Sequence, residues 1–148
     1  MKKSYSFTLI ALMLAGCFAF AICCTKGSRE KRLLEWGGSF AKQQSEDSIV
    51  IYTNDGWKKL WTRVIGTQVP IQPDFSKNLA VAVFLGQRFT GGYDIKIHDP
   101  VIVQGKTVVV YEEIKPDKDA FVVQTRTTPY RVVIFEKLTP ETVIKRKK

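Results

Sequence analysis

Few residues in this chain could do covalent or metal chemistry. One histidine, His98, and three cysteines, Cys17, Cys23 and Cys24, make up the whole imidazole and thiol inventory. A zinc site needs three or four such ligands drawn together. A serine hydrolase would have to use His98 as its base. That residue lies in an alternating stretch with Lys96, beside Asp99-Pro100, and no G-x-S-x-G elbow accompanies it. Glu112 and Glu113 are adjacent carboxylates, and neighbours on a strand point to opposite faces. A glycosidase instead sets its two carboxyls about 5–9.5 Å apart across a cleft. No phosphate-binding or dinucleotide fingerprint occurs. The expectation is a non-enzyme that uses no metal and no cofactor.

The residues suited to gripping a partner fall in two segments. Gly86-Gln87-Arg88-Phe89-Thr90-Gly91-Gly92-Tyr93 interleaves large side chains with glycines that allow positive φ and close backbone approach. Thr127-Thr128-Pro129-Tyr130 places a proline inside an otherwise strand-like run, which suits an edge, a bulge or a cis bond. Arg88, Phe89, Thr90, Gly91, Gly92 and Tyr93, with Thr128, Pro129 and Tyr130, are the candidate contact residues. They form one surface if strand pairing brings the two segments together. A carbohydrate platform of Trp36, Trp57 and Trp61 is the weaker reading, since Trp57 and Trp61 share the helix stripe and are read as core residues.

The elements that must hold these segments follow from periodicity. Arg32 to Trp36 with Phe40 reads as a weak strand interrupted by Gly37-Gly38, and Lys42 to Ser48 as a polar loop. Ile49-Val50-Ile51-Tyr52 is a β-branched and aromatic strand. Trp57, Leu60, Trp61 and Val64 fall at i, i+3, i+4 and i+7, which predicts an amphipathic helix with N-cap candidates at Thr53, Asn54 and Asp55 and a stop at Gly66. Leu79 to Leu85 is uninterruptedly apolar, the pattern of a strand covered on both faces. Tyr93, Ile95 and Ile97 alternate with polar residues. Gln104-Gly105 between Val101–Val103 and Lys106–Tyr111 signals a hairpin. Phe121 to Thr125 and Tyr130 to Phe135 are read as the last strands, and residues 141–148 as a solvated basic tail. The fold class expected is α+β: a mostly antiparallel β-sheet or small sandwich of about six or seven strands with one amphipathic helix packed on it.

The first 24 residues have the composition of an export segment. Lys2 and Lys3 precede an apolar run from Phe7 to Cys24. Leu14-Ala15-Gly16-Cys17 has the form of a lipobox, which would make Cys17 the lipid-bearing mature N-terminus. Two other outcomes stay open: cleavage after Ala21 at Ala19-Phe20-Ala21, releasing a soluble secreted protein, and an uncleaved anchor, since the run falls in the range of about 17–25 residues that can span a bilayer. Residues 25–31 read as a tether and residues 32–140 as one folded domain. The cysteines all lie in the export segment, so the domain itself must rest on its apolar core.

Pro73-Asp74-Phe75-Ser76, the apolar strand running into Leu85-Gly86-Gln87-Arg88, then Thr90-Gly91-Gly92-Tyr93-Asp94-Ile95, and Thr127-Thr128-Pro129-Tyr130 followed by residues 132–137 resemble the C-terminal domain of the PrcB family. That family comprises accessory lipoproteins named after a subunit of a bacterial surface protease complex. The resemblance covers about residues 32–137. It implies a non-catalytic protein that binds and stabilises a protease or another exported partner, and it brings no catalytic residues with it.

The chain carries 23 basic residues against 14 acidic ones, a formal charge of +9. Loss of the export segment before Cys17 removes Lys2 and Lys3, and four more basic residues, Lys145 to Lys148, lie at the end of the chain. The folded body is much less basic than the total. Nucleic acid is therefore not expected as a partner. The reading is a lipid-tethered bacterial envelope protein, at the outer membrane or periplasmic face, that binds a protein partner such as a protease; the alternative is a basic envelope module for an anionic polymer. Its oligomeric state is left open.

Overall fold

A computed structural model describes residues 32–147. The export segment 1–24 with its lipobox at 14–17 and Cys17, and the tether 25–31, lie outside the described residues. Eight strands and one helix form two sheets. The first sheet contains β1 (Arg32–Gly38), β2 (Glu46–Ile51), β3 (Asn78–Leu85) and β7 (Tyr130–Glu136) in the order β1-β7-β3-β2, all antiparallel. The second is built on β6 (Lys106–Ile114). β4 (Asp94–Ile97) and β5 (Val101–Val103) pair antiparallel with β6, and β8 (Thr142–Arg146) pairs with it in parallel. Residues 107 and 108 pair with both β5 and β8, so these flank opposite edges of β6. The fold is the expected α+β sandwich, mostly antiparallel with one parallel pair.

The apolar run at β3 has the predicted role. Alternate residues of β3 face different cores. Ala80, Ala82 and Phe84 pack with Val132 and Ile134 against Trp57, Leu60, Trp61 and Ile65 of the helical segment. Leu79, Val81, Val83 and Leu85 pack with Val133 and Phe135 against Ile95, Ile97, Val109 and Tyr111 of the second sheet. Helix, first sheet and second sheet are thus three layers, with β3 in the middle one. Arg131 of β7 reaches Glu35 of β1 at 2.8 Å and also pairs with Asp94 of β4. Burial alone would lower its pKa, but these carboxylates outweigh that and raise it.

The helix starts as its cap residues predict. The Thr53 hydroxyl accepts the Gly56 N–H at 3.1 Å, and the chain is α-helical over α1 (Asn54–Lys59). From Leu60 to Ile65 it widens to i→i−5 bonding, closed by the Gly66 N–H donating to the Trp61 carbonyl at 2.8 Å, with Gly66 left-handed at φ 89°. Val64 packs half-buried against the core as its place on the apolar stripe predicts, and Ile65 beside it is buried as well. Trp36, Trp57 and Trp61 meet edge to face with centroids 5.4–5.7 Å apart, so they are core residues.

Three local readings are corrected. Residues 142–146 are strand β8, not a solvated tail: β6 would otherwise be an open edge, and Ile144 contributes to the second core. Residues 121–125 have strand-like composition but form no strand, and Phe121 and Val123 are exposed. The polar stretch 42–48 is a loop only up to Ser45, because β2 begins at Glu46. The Gln104-Gly105 hairpin forms as read, with φ of 50° and 77° at its two turn residues. Between the pairs Ile97↔Tyr111 and Val101↔Val108 the register gains one residue, so Asp99-Pro100 makes a bulge that splits one long strand into β4 and β5.

Candidate functional site

The two segments singled out by composition do meet, at the end of the first sheet where β3 leaves and β7 enters. Gly86 allows the turn out of β3. Its φ is 71°, and a Cβ there would lie 2.7 Å from the Glu46 backbone nitrogen. The Gln87 N–H then donates to the Gln44 carbonyl at 2.9 Å, and Arg88 and Thr127 exchange backbone hydrogen bonds at 2.8 and 2.9 Å. Gly91 donates to the Val123 carbonyl at 2.8 Å, while Gly92, at φ 83°, lies against Val122 and Pro116. On the other side, the Thr128 N–H donates to the Ser39 carbonyl at 2.8 Å. Loops 39–45, 86–93 and 121–128 are therefore stapled into one surface.

Most of the expected contact residues hold this surface together from beneath. Arg88 is largely covered. Its Nε donates to Glu113 Oε1 at 3.0 Å, its Nη1 donates to the Leu85 carbonyl at 2.6 Å, and its guanidinium lies 5.6 Å from the Tyr93 ring centroid. Tyr93 packs against the second core. Thr90 offers its carbonyl to the buried Thr127 hydroxyl at 2.9 Å. Thr128 is buried, with its hydroxyl on both backbone groups of Ala41. Pro129 follows a trans bond and its carbonyl accepts the Leu85 N–H at 3.1 Å. Tyr130 is buried, stacked 6.4 Å from Phe84 and edge-on to Trp61, and burial raises its phenol pKa. Gly38 makes room for that ring, since a Cβ would come within 2.7 Å of it.

Phe89 alone among the nine points a large apolar group outward, at 80% exposure. The loops add three residues that the sequence reading placed in strands: Phe40 at 65%, Val123 at 70% and a fully exposed Phe121. Their signal was present but ambiguous, since an aromatic directly after the polar turn 116–119 fits an exposed loop as well as a strand start.

An ion network braces the same end. Glu113 receives Arg88 and also pairs with Arg146 of β8, which bonds both oxygens of Glu46 at 2.7 and 3.0 Å. The Tyr111 hydroxyl donates to Glu46 at 3.2 Å, and burial followed by the Glu46 charge raises its pKa. His98 lies elsewhere, on the outer face of the second sheet. Its Nε2 is 3.2 Å from Glu112, which also pairs with Lys147 and Lys96.

Residues 79–136 match the family model of the PrcB C-terminal domain. The match runs from β3 through β7 and so contains both loop segments; β1, β2, the helix and β8 lie outside it. No curated protein and no solved structure matches the chain.

Proposed function

We propose, from the PrcB C-terminal domain at residues 79–136, that the protein is a non-catalytic binding subunit tethered to the bacterial envelope through Cys17. Its partner is a protein, a secreted or surface protease that it accompanies. The observation that carries this reading is the loop end: Phe40, Phe89, Phe121 and Val123 stand out on a backbone fixed by hydrogen bonds between three segments. Exposed aromatics on a preorganised base are the residue type and setting of binding hot spots, because little conformational entropy is lost when they dock.

The polyanion alternative draws less support. Arg32, Arg88, Arg131, Arg146, Lys96, Lys106 and Lys147 each lie within ion-pair distance of a carboxylate. That pairing offsets part of the positive charge an anionic polymer would need.

The test is capture of partners from an envelope extract by the tagged protein and by the double variant Phe89→Ala, Phe121→Ala. The variant should lose the partner while its thermal midpoint stays at the wild-type value. Equal capture would reject the loop end as the contact surface, and capture abolished by moderate salt would favour the polyanion. Labelled palmitate on wild type but not on Cys17→Ala is the result expected for the tether, and an unlabelled wild type would overturn it.

A further inference from the structure

We infer a second binding site, separate from the loop end: the open edge of β2 and the groove beside it take an extended peptide segment of a partner by strand addition. The peptide chemistry is apolar residues in alternation, with an acidic residue toward the Tyr52 end.

The backbone pattern of the first sheet fixes which groups are free. Leu85 N–H bonds to the Pro129 carbonyl and Lys137 N–H to the Lys77 carbonyl, so odd-numbered residues of β3 aim their backbone groups at β7. Even-numbered ones aim at β2, where the register pairs Phe84, Ala82 and Ala80 with Asp47, Ile49 and Ile51. The intervening residues, Ser48, Val50 and Tyr52, must point their N–H and C=O groups away from the sheet. Among the described residues β2 ends the strand order, so no strand meets them. The Ser48 N–H is occupied by the Asp47 carboxylate at 2.8 Å. That leaves the Ser48 carbonyl, both groups of Val50 and the Tyr52 N–H, the alternating donors and acceptors that an added strand needs.

A groove of about 350 Å³ lies along this edge, lined by Ile49, Val50, Ile51 and Tyr52 on the strand side and by Lys59, Leu60 and Val64 on the helix side. Its apolar wall on the helix side includes Val64, which is half-buried against the first core and also borders the groove. Every second side chain of an added strand would enter there. Charge sets the direction. Lys59 lines the groove and the Lys137 ammonium lies 5.7 Å from the Tyr52 ring centroid, whereas Glu46 and Asp47 begin the strand at its other end. Free backbone groups call for a polypeptide rather than a lipid or sugar, and the lysines call for a carboxylate at one end of it.

The probe is a displayed library of random octapeptides, panned against the full chain held in detergent micelles, which accommodate its apolar N-terminal run. Recovered peptides should alternate apolar residues and carry an acid near one end. One of them, resynthesised with N-methyl groups on alternate amides, should lose affinity about tenfold or more in one methylation register and keep it in the other. Val50→Pro removes an outward N–H, which an edge strand tolerates, and trims a side chain that packs on the second core; it should abolish binding while Val50→Ala, which loses the same packing but keeps the N–H, still binds. Lys59→Glu should weaken acidic peptides by about tenfold. The Phe89→Ala, Phe121→Ala variant should bind the peptide normally, which separates this site from the loop end. The inference is overturned if no peptide is recovered, if both methylation registers bind equally, or if the free protein self-associates and Val50→Pro makes it monomeric, since the edge would then belong to a second copy.

Discussion

The Thr128 hydroxyl makes two bonds to a single residue: it accepts the Ala41 N–H at 2.8 Å and donates to the Ala41 carbonyl at 2.7 Å. Eighty-seven positions separate the two residues. This buried side chain thus stands in for a strand pair and fixes the loop ahead of β2 to the entrance of β7. Thr128→Val keeps the shape and leaves the Ala41 carbonyl without its donor, so it should destabilise by about 1–3 kcal/mol, whereas Thr128→Ser should cost less. Urea unfolding of the three proteins checks the order.

Arg88 and Phe89 are neighbours with opposite expected behaviour. Arg88→Ala strips a donor from Glu113 and from the Leu85 carbonyl and should lower stability by about 1–3 kcal/mol. Arg88→Lys should restore little of it, because an ammonium cannot span both acceptors with the fixed guanidinium geometry. Phe89→Ala should leave stability within about 0.5 kcal/mol of wild type. Thermal and urea midpoints measured together with partner capture separate the two roles.

Two glycines with similar φ should respond differently to alanine. Gly86→Ala meets both an unfavourable φ and the Glu46 backbone at 2.7 Å, and it should cost well over 1 kcal/mol, on the order of 2–4. Gly105→Ala meets nothing within 4 Å, so only the left-handed φ opposes it, at about 1–2 kcal/mol. A ratio near one in the measured losses would contradict the close packing at Gly86.

Glu112 has its pKa lowered chiefly by the hydrogen bond from Lys147, with the Lys147, His98 and Lys96 charges acting the same way against a smaller opposing effect of burial. A depressed carboxylate stabilises the fold above its unfolded pKa, and the gain is lost as pH falls through the folded value. Glu112→Gln should therefore unfold at lower urea than wild type at neutral pH, with the two midpoints converging as pH drops below the ordinary carboxylate range. Midpoints measured along that acid limb give the comparison.

The legible parts of the fold were those with a strong local period or an uninterrupted apolar run. Leu79 to Leu85 could only be a doubly covered strand, Trp57, Leu60 and Trp61 could only be one buried stripe, and Gln104-Gly105 specified its turn. β8 was hidden because Lys145 and Arg146 look like a solvated end, yet the Arg146 charge is absorbed by Glu46 and Glu113 across the fold. Phe121 and Val123 erred in the other direction: their propensity suits a strand, but pairing depends on a partner that local composition does not reveal. At the loop end, sequence singled out two segments that the fold brings together. Which residues face outward was decided by tertiary contacts of Arg88, Thr128 and Tyr130 that have no local signature. The burial of Ile65 beside Val64 was equally invisible, since a single extra residue in one turn leaves the spacing of the earlier stripe intact.

The central position of β3 bears on how the molecule opens. Its even residues complete one core and its odd residues the other, so neither the helix layer nor the second sheet can come away without uncovering this strand. The amides of β3 and of β7 beside it should exchange with deuterium only through whole-molecule opening, at one shared protection level, while those of β5 and the 121–125 segment exchange through local fraying. Cleavage of its interior by a protease should therefore require the rare global event rather than a partial one.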